Sequence, residues 1–478
     1  MEILLLVPCA CLCAVTLMMG WLVHWAYKWI NPPCNGTLPP GSMGLPIIGE
    51  TMQFFKMSAS LDVPNFYKQR IQRYGPIFKT NLVGQPMVVC ADPEVNRFIF
   101  QQEGKLFRSW YPETANIIIG EKTIDEFSGP SQKFVRNFMS RLFGLEYLKQ
   151  DLIPELEKDI RDCFAEWAAK PSIDVHDCTP DVIFLLVAKK MIGLHPSESK
   201  ELRKNYSSFL EGLISFPIYL PGTTFYRCMQ GKNNMMNLMS NLLRKRLSTP
   251  KEKHGDLLDL MVEELQSENP TIDEKFATDA LSALLFTSFV TLSPNLTLAF
   301  KFLSDNPAVL DALKEEHDAI LMHRKDASSG FRWEEYKSLT FTTLVINELT
   351  RMSNATPGIF RKTLTDVQVN GYTIPAGWMV MMSPMAVHLN PAFFEDPLDF
   401  NPWRWLDESK RNAQKNFVPF GLGIRACPAA EFSKLFMALF LHVLVTKYRW
   451  TKIKGGEVSR KAVIMFPQGY QIQLLPRA

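Results

Sequence analysis

The sequence predicts a mostly α-helical fold with a small β region, preceded by one membrane-spanning helix. Three observations lead there. Apolar residues recur at helical spacing through most of the chain, strand-like runs are short and confined to a few places, and the N-terminus carries a long uncharged apolar stretch.

From Ile3 to Val23 no charged residue occurs, which suffices for one membrane-spanning helix. The run exceeds the usual core of a signal peptide, and no small-x-small cleavage site follows it, although a cleaved signal sequence stays open as the alternative. Trp21, Trp25, Tyr27 and Trp29, with Lys28 among them, mark an interfacial belt. Asn31-Pro32-Pro33-Cys34-Asn35-Gly36 and Leu38-Pro39-Pro40-Gly41 then form a stiff, non-helical hinge.

Beyond the hinge, Ile77–Leu82 and Pro86–Cys90 flank Val83-Gly84-Gln85 and read as a hairpin. Helical periodicity follows at Gln132–Phe143, Ile153–Ala168, Asp181–Met191, Lys200–Leu213, Asn233–Leu247 and Asp256–Leu265. It continues at Asp273–Ser304, Pro307–Asp318 and Leu344–Arg351. Short strands are expected at Phe360–Lys362, Val367–Ile374 and Gly469–Leu475. The apolar connector Phe216–Gly222 joins two helices and reads equally as a buried loop or a lipid-facing cap.

Hydrophobic content of 46% with 33 Phe supports a thick core, while a formal charge of +3 does not point to a nucleic-acid partner. Cys34, Cys90, Cys163, Cys178 and Cys228 are scattered without Cys-x-x-Cys spacing, so neither a disulfide framework nor a zinc site is indicated. Asn-x-Ser/Thr sequons at Asn205, Asn295 and Asn354 are expected to go unused.

The stretch Phe420-Gly421-Leu422-Gly423-Ile424-Arg425-Ala426-Cys427-Pro428-Ala429 carries the chemistry. Gly423 permits a tight turn, Phe420 can shield a sulfur from water, Arg425 can pair with an anionic group, and Pro428 suits the first turn of a following helix. A lone cysteine is most often an ordinary buried thiol. Here, however, the stretch resembles the ligand loop of the cytochrome P-450 superfamily, Phe-x-x-Gly-x-Arg-x-Cys-x-Gly, with Ala429 in place of the last glycine. The resemblance implies haem b with Cys427 as the buried axial thiolate of the iron, a ligand that favours cleavage of a bound O–O bond.

Two further motifs follow the family's order. Glu348-Leu349-Thr350-Arg351 and, after it, Arg404 in Phe400-Asn401-Pro402-Trp403-Arg404-Trp405 resemble the family's buried Glu-Arg-Arg network, so Glu348, Arg351 and Arg404 are given a structural role. Arg136, in Gln132-Lys133-Phe134-Val135-Arg136, and Arg361, in Pro357-Gly358-Ile359-Phe360-Arg361, match positions that bind haem propionates. Each could instead be a solvated cation. Gln132 replaces the family's tryptophan or histidine.

The Asp273–Ser304 helix matches the oxygen-activating helix. Thr291 stands where the family's alcohol holds water near bound oxygen and is the catalytic candidate, but Val290 replaces the acid beside it. Pro294 cannot bond to the carbonyl of Val290, so the helix is expected to open beside Thr291 and free that carbonyl for an ordered water. A kink made only for packing is the alternative.

Length alone would suggest two or three domains. The resemblance instead implies a single catalytic domain over residues 49–478, after an anchor at 1–30 and a hinge at 31–48. Leu38–Gly44, Tyr74–Thr80 and Lys447–Trp450 resemble plant members of the clan that oxidises sterols and triterpenoids. The implied function is monooxygenation of a lipophilic polycyclic isoprenoid, with NADPH-cytochrome reductase as partner and the catalytic domain on the cytosolic face of the endoplasmic reticulum membrane. A haem isomerase or lyase would explain Val290, and a non-catalytic sterol-binding relative is the third reading.

Overall fold

The computed structural model describes residues 2–120, 136–139, 149, 152–194, 196–213, 215, 217–249, 252–324, 326, 329–356, 358–407, 414–461 and 463–477. The expected helix Gln132–Phe143 lies outside them except for 136–139, which is helical. The chain divides into two compact units: Met1–Met57 with Val63–Trp110 and Gly358–Ala386, and Ser58–Asp62 with Tyr111–Pro357 and Val387–Ala478.

In the first unit, helix α1 (Glu2–Ile30) covers the uncharged N-terminal stretch. Leu17, Met18, Met19, Trp21 and Val23 are exposed on it. Trp29 at its end donates its indole N–H to the carbonyl of Gly44 at 3.2 Å. Strands β1 (Ile77–Leu82), β2 (Gln85–Cys90), β3 (Phe107–Ser109), β4 (Ile359–Thr363) and β5 (Met379–Met382) form a five-stranded sheet in the order β1-β2-β5-β4-β3. Only β2 and β5 are parallel. β5 was not foreseen because all its residues are buried, which removes the alternation by which a strand is read. The expected strand Val367–Ile374 is a hairpin of Val367–Val369 and Tyr372–Ile374. Asn370 and Gly371, with φ of 47° and 79°, make the tight turn that an Asn-Gly pair favours.

The second unit is helical. α2 (Ile153–Ala168) matches its expected span, and α3 (Val175–Ile192) and α4 (Thr224–Ser248) begin earlier than periodicity suggested. α5 (Glu274–Asp305) is capped by Asp273, whose carboxylate accepts from the Phe276 N–H at 2.6 Å. α6 (Pro307–His323) and α7 (Thr340–Ser353) follow. α5 packs against α3, α4, α6 and α7, and most of its surface is buried, as suits a core helix. Contrary to expectation, α5 is helical straight through Pro294. The missing proline N–H removes one bond, while the Asn295 side chain adds one to the neighbouring carbonyl of Thr291 at 3.1 Å.

α8 (Ala430–Lys447) packs against α2, α6 and α7 and is buried on nearly every side, so it has no apolar stripe to betray it. Pro428 precedes its first turn rather than entering it. A three-stranded sheet of Ile173–Asp174, Tyr470–Pro476 and Tyr448–Gly455 closes the C-terminus. In the connector, Ile218, Tyr219 and Leu220 are exposed, which excludes a buried loop for them.

Candidate functional site

The ligand loop is shaped by its own backbone. Gly421 and Gly423 sit at φ of 70° and 68°, a left-handed conformation that glycine adopts without a side-chain clash. The Gly421 N–H bonds to the carbonyl of Val418 at 3.2 Å, that of Ala426 to Gly423 at 3.1 Å, and that of Cys427 back to Phe420 at 2.8 Å. These bonds fold the loop around Cys427. Phe420 and Arg425 are half-buried, and the Lys434 ammonium lies 5.8 Å from the Phe420 ring centroid.

Cys427 was expected to be buried, yet its side chain is accessible to solvent. It nonetheless has enough protein around it that desolvation pushes its thiol pKa up; the Ala429 backbone N–H and the Arg136 guanidinium act in the other direction. Arg136 also donates to the carbonyls of Ile424 at 3.0 Å and Ala426 at 3.5 Å, fastening the loop from outside.

The donor set suits a haem. Among the described residues no group of three or more His, Cys, Asp or Glu could hold a metal ion, so a bare ion finds too few ligands beside Cys427. A metal that brings its own equatorial nitrogens needs only one axial sulfur. A metal cation at the sulfur would favour the thiolate form that burial disfavours.

Behind the loop, Glu348, Arg351 and Arg404 come together as the sequence implied. The Glu348 carboxylate accepts from Arg351 Nε at 2.9 Å and its terminal nitrogen at 2.8 Å, from Arg404 Nε at 2.9 Å, from the Asn401 N–H at 3.1 Å and from the Trp405 indole at 3.1 Å. Arg351 also donates to the carbonyls of His388 and Pro397, and Arg404 to those of Glu395, Asp396 and Asp399. Glu348 and Arg351 are wholly buried. A buried carboxylate with this many donors is satisfied, and its removal would leave two guanidinium groups buried without their counter-ion.

On α5, the Thr291 hydroxyl donates to the carbonyl of Thr287 at 2.8 Å. Its proton is committed and its lone pairs remain for an incoming donor. Ala283, Thr287, Val290, Thr291 and Pro294 form the less buried stripe of this otherwise buried helix. Leu284 and Ser288 are also only part-buried there, so the less buried surface mixes apolar side chains with three hydroxyls.

Arg361 belongs to the other compact unit. It is buried, pairs with Glu103 at 2.5 Å and lies over the Phe100 ring at 5.9 Å; it also donates to its own neighbour's carbonyl at 2.8 Å. It is therefore not a solvated surface cation. Gln132 lies outside the described residues. A polar cavity of about 830 Å³ opens beside the end of α5 and the segment Glu395–Asp407, with Arg404 in its wall. No ligand-loop residue lines it, so it is not the site of the chemistry.

Sequence reasoning missed Asn295, Ser353, Asn354 and His388, all buried. Two of them drew notice only as sequon asparagines, and burial makes those sequons inaccessible. The signal that could have found Asn354 is its place directly after the Glu-x-x-Arg helix, where it ends α7 at a φ of 41°, a conformation asparagine tolerates.

A family model for cytochrome P-450 matches residues 39–474. Rice cytochrome P-450 87A3 is 48% identical over 98% of this chain and 92% of its own length. The beta-amyrin 16-alpha-hydroxylase of Maesa lanceolata is 41% identical over 95% of this chain and 96% of its own. The cucurbitadienol 11-hydroxylase of Siraitia grosvenorii is 39% identical over 97% and 98%. In architecture the chain matches the retinoic acid-bound cyanobacterial CYP120A1 with a TM-score of 0.83 at 24% identity, covering 93% of this chain and all of that one.

Proposed function

Because this chain belongs to the cytochrome P-450 family, we propose that it is a membrane-anchored haem-thiolate monooxygenase in which Cys427 is the axial ligand and a sterol or triterpenoid is the substrate. The observation that carries the assignment is Cys427 at the end of a glycine-turned loop whose carbonyls accept from Arg136. When bound, haem b supplies activation of dioxygen, so that one oxygen atom enters a C–H bond and the other leaves as water with two electrons and two protons. Repeated rounds on one carbon would give a ketone or cleave a C–C bond.

The chain's own residues do the rest. Phe420 covers the sulfur's flank, Gly423 lets the loop approach closely, and Arg136 and Arg425 offer guanidinium groups for the propionates. Thr291 holds a water through its lone pairs, and with Val290 beside it the protons arrive through water rather than through a side-chain acid. The apolar side chains of Ala283, Val290 and Pro294 meet a rigid hydrocarbon skeleton.

Residues 1–30 act as the anchor, 31–48 as the hinge and 49–478 as the catalytic region. The catalytic region faces the cytosol at the endoplasmic reticulum, where NADPH-cytochrome reductase delivers electrons. Exposed apolar residues on α1 and at Ile218–Leu220 support membrane contact. Hydroxylated triterpenoids named for the relatives support the substrate class.

The test is expression with a reductase in a host fed a panel of sterols and triterpenes. One or more hydroxylated products that require the reductase are expected. Conversion that proceeds equally without it would replace this reading by an isomerase or lyase, and a thiolate-haem spectrum with no turnover by a binding protein.

A further inference from the structure

Two hydrogen-bonded chains meet at the adjacent residues Ser353 and Asn354, one reaching the ligand loop and the other the long helix α5. The Val418 backbone N–H donates to Nε2 of His388 at 3.1 Å. A backbone N–H can only donate, so Nε2 carries no proton and the neutral ring holds its proton on Nδ1. That proton goes to Oδ1 of Asn354 at 2.9 Å. The Asn354 amide in turn donates to the carbonyl of Arg351 at 2.6 Å. Its neighbour Ser353 donates through its hydroxyl to Oδ1 of Asn295 at 2.7 Å, and the Asn295 amide donates to the carbonyl of Thr291 at 3.1 Å.

The Asn354 amide meets its two partners in one orientation only. Turning the Asn354 amide would set N–H against N–H at His388 and oxygen against oxygen at Arg351. Burial, reinforced by the Arg351 guanidinium, lowers the His388 pKa to about 3, with the Asn416 backbone the one opposing influence. The ring therefore stays neutral across the physiological range. At the loop end, Val418 accepts from Gly421, whose neighbour Phe420 accepts from Cys427.

We propose that His388 and Asn354 are positioning residues for the thiolate loop, latching Val418 to the end of α7, while the adjacent Ser353 ties that end through Asn295 to the carbonyl of Thr291. This rests on Cys427 being the haem ligand. The rival is that His388 only fills space, since its ring lies 5.4 Å from that of Phe417 and 6.5 Å from that of Phe394. Phenylalanine would keep that packing and lose the acceptor, whereas glutamine keeps an acceptor and a donor.

The experiment uses the full, haem-loaded chain. Amide hydrogen exchange is followed at Val418, and the reduced carbon monoxide spectrum reports the fraction of haem with thiolate ligation. His388→Phe is expected to speed exchange at Val418 about tenfold, the scale of one lost buried hydrogen bond, and to lose about half of the thiolate signal. His388→Gln should restore both. Should His388→Phe not fold, Asn354→Gly keeps the backbone conformation, removes the Nδ1 partner and is expected to speed the same amide severalfold. Unchanged exchange at Val418 in either variant, or equal loss of thiolate signal in the phenylalanine and glutamine variants, overturns the proposal. A thiolate spectrum that survives Cys427→Ser would instead sink the ligand assignment and leave the exchange result standing.

Discussion

The Glu348–Arg351–Arg404 clamp and the loop around Cys427 lie in the same compact unit and are built on opposite principles. The clamp is dry: its carboxylate and both guanidinium groups are buried, and each is bonded to a charged partner and to backbone. The loop is half-open, shaped by glycine turns and fastened by few bonds, and its cysteine reaches solvent. The contrast teaches that rigidity is placed behind the reactive atom rather than on it, which leaves the sulfur free for a cofactor while its backbone is held in place.

The largest effect expected from breaking this contrast is at the loop. Cys427→Ser should abolish the thiolate-haem spectrum and all reductase-dependent turnover while the far-ultraviolet circular dichroism stays native, because only the metal ligand is lost.

The clamp should fail in the opposite manner. Glu348→Ala leaves Arg351 and Arg404 buried without their carboxylate and should cost about 3–5 kcal/mol of stability, read as loss of folded, haem-loaded protein in denaturant unfolding.

A third difference appears on acidification. His317, His388 and His442 are buried with pKa values lowered to about 4, 3 and 2, in each case chiefly by desolvation. His317 and His442 meet through their Nδ1 atoms at 3.0 Å. The unfolded chain binds these protons near pH 6.5 and the folded one does not, so the stabilisation is complete above that pH. It declines as pH falls from 6.5 toward 4, by about 1.4 kcal/mol per pH unit for each histidine. Thermal unfolding across that range should drop steeply, and replacing His442 with Phe should flatten the slope.

Smaller again is Thr291→Val, which removes the lone pairs offered to water. Product formed per reductant consumed should fall by about tenfold, as for one hydrogen bond to a developing charge, with the thiolate spectrum intact. Least of all, Arg136→Ala should change stability by less than about 1 kcal/mol in the same unfolding assay, since that guanidinium is exposed.

Much of this was legible before any coordinates. Ile153–Ala168 was read to its observed ends because a half-buried helix writes its period into the sequence, and the long span ending near Ser304 was read to within a residue or so. The Glu348 network was legible by resemblance. α8 and β5 were not, because elements buried all round carry no period. Asn354 and His388 were missed for a different reason: a buried polar residue is distinguished only by its partner, and those partners lie far along the chain.

From residue spacing alone came the helical architecture, and from the resemblance of the Phe420–Ala429 loop came the cofactor class, since each depends on local sequence. Folding alone decided which carbonyls Arg136 fastens, that Arg361 pairs with Glu103, and that a neutral histidine joins the ligand loop to the end of α7. Those contacts are set by packing between segments distant in sequence, where burial makes every unpaired donor costly and so permits one arrangement.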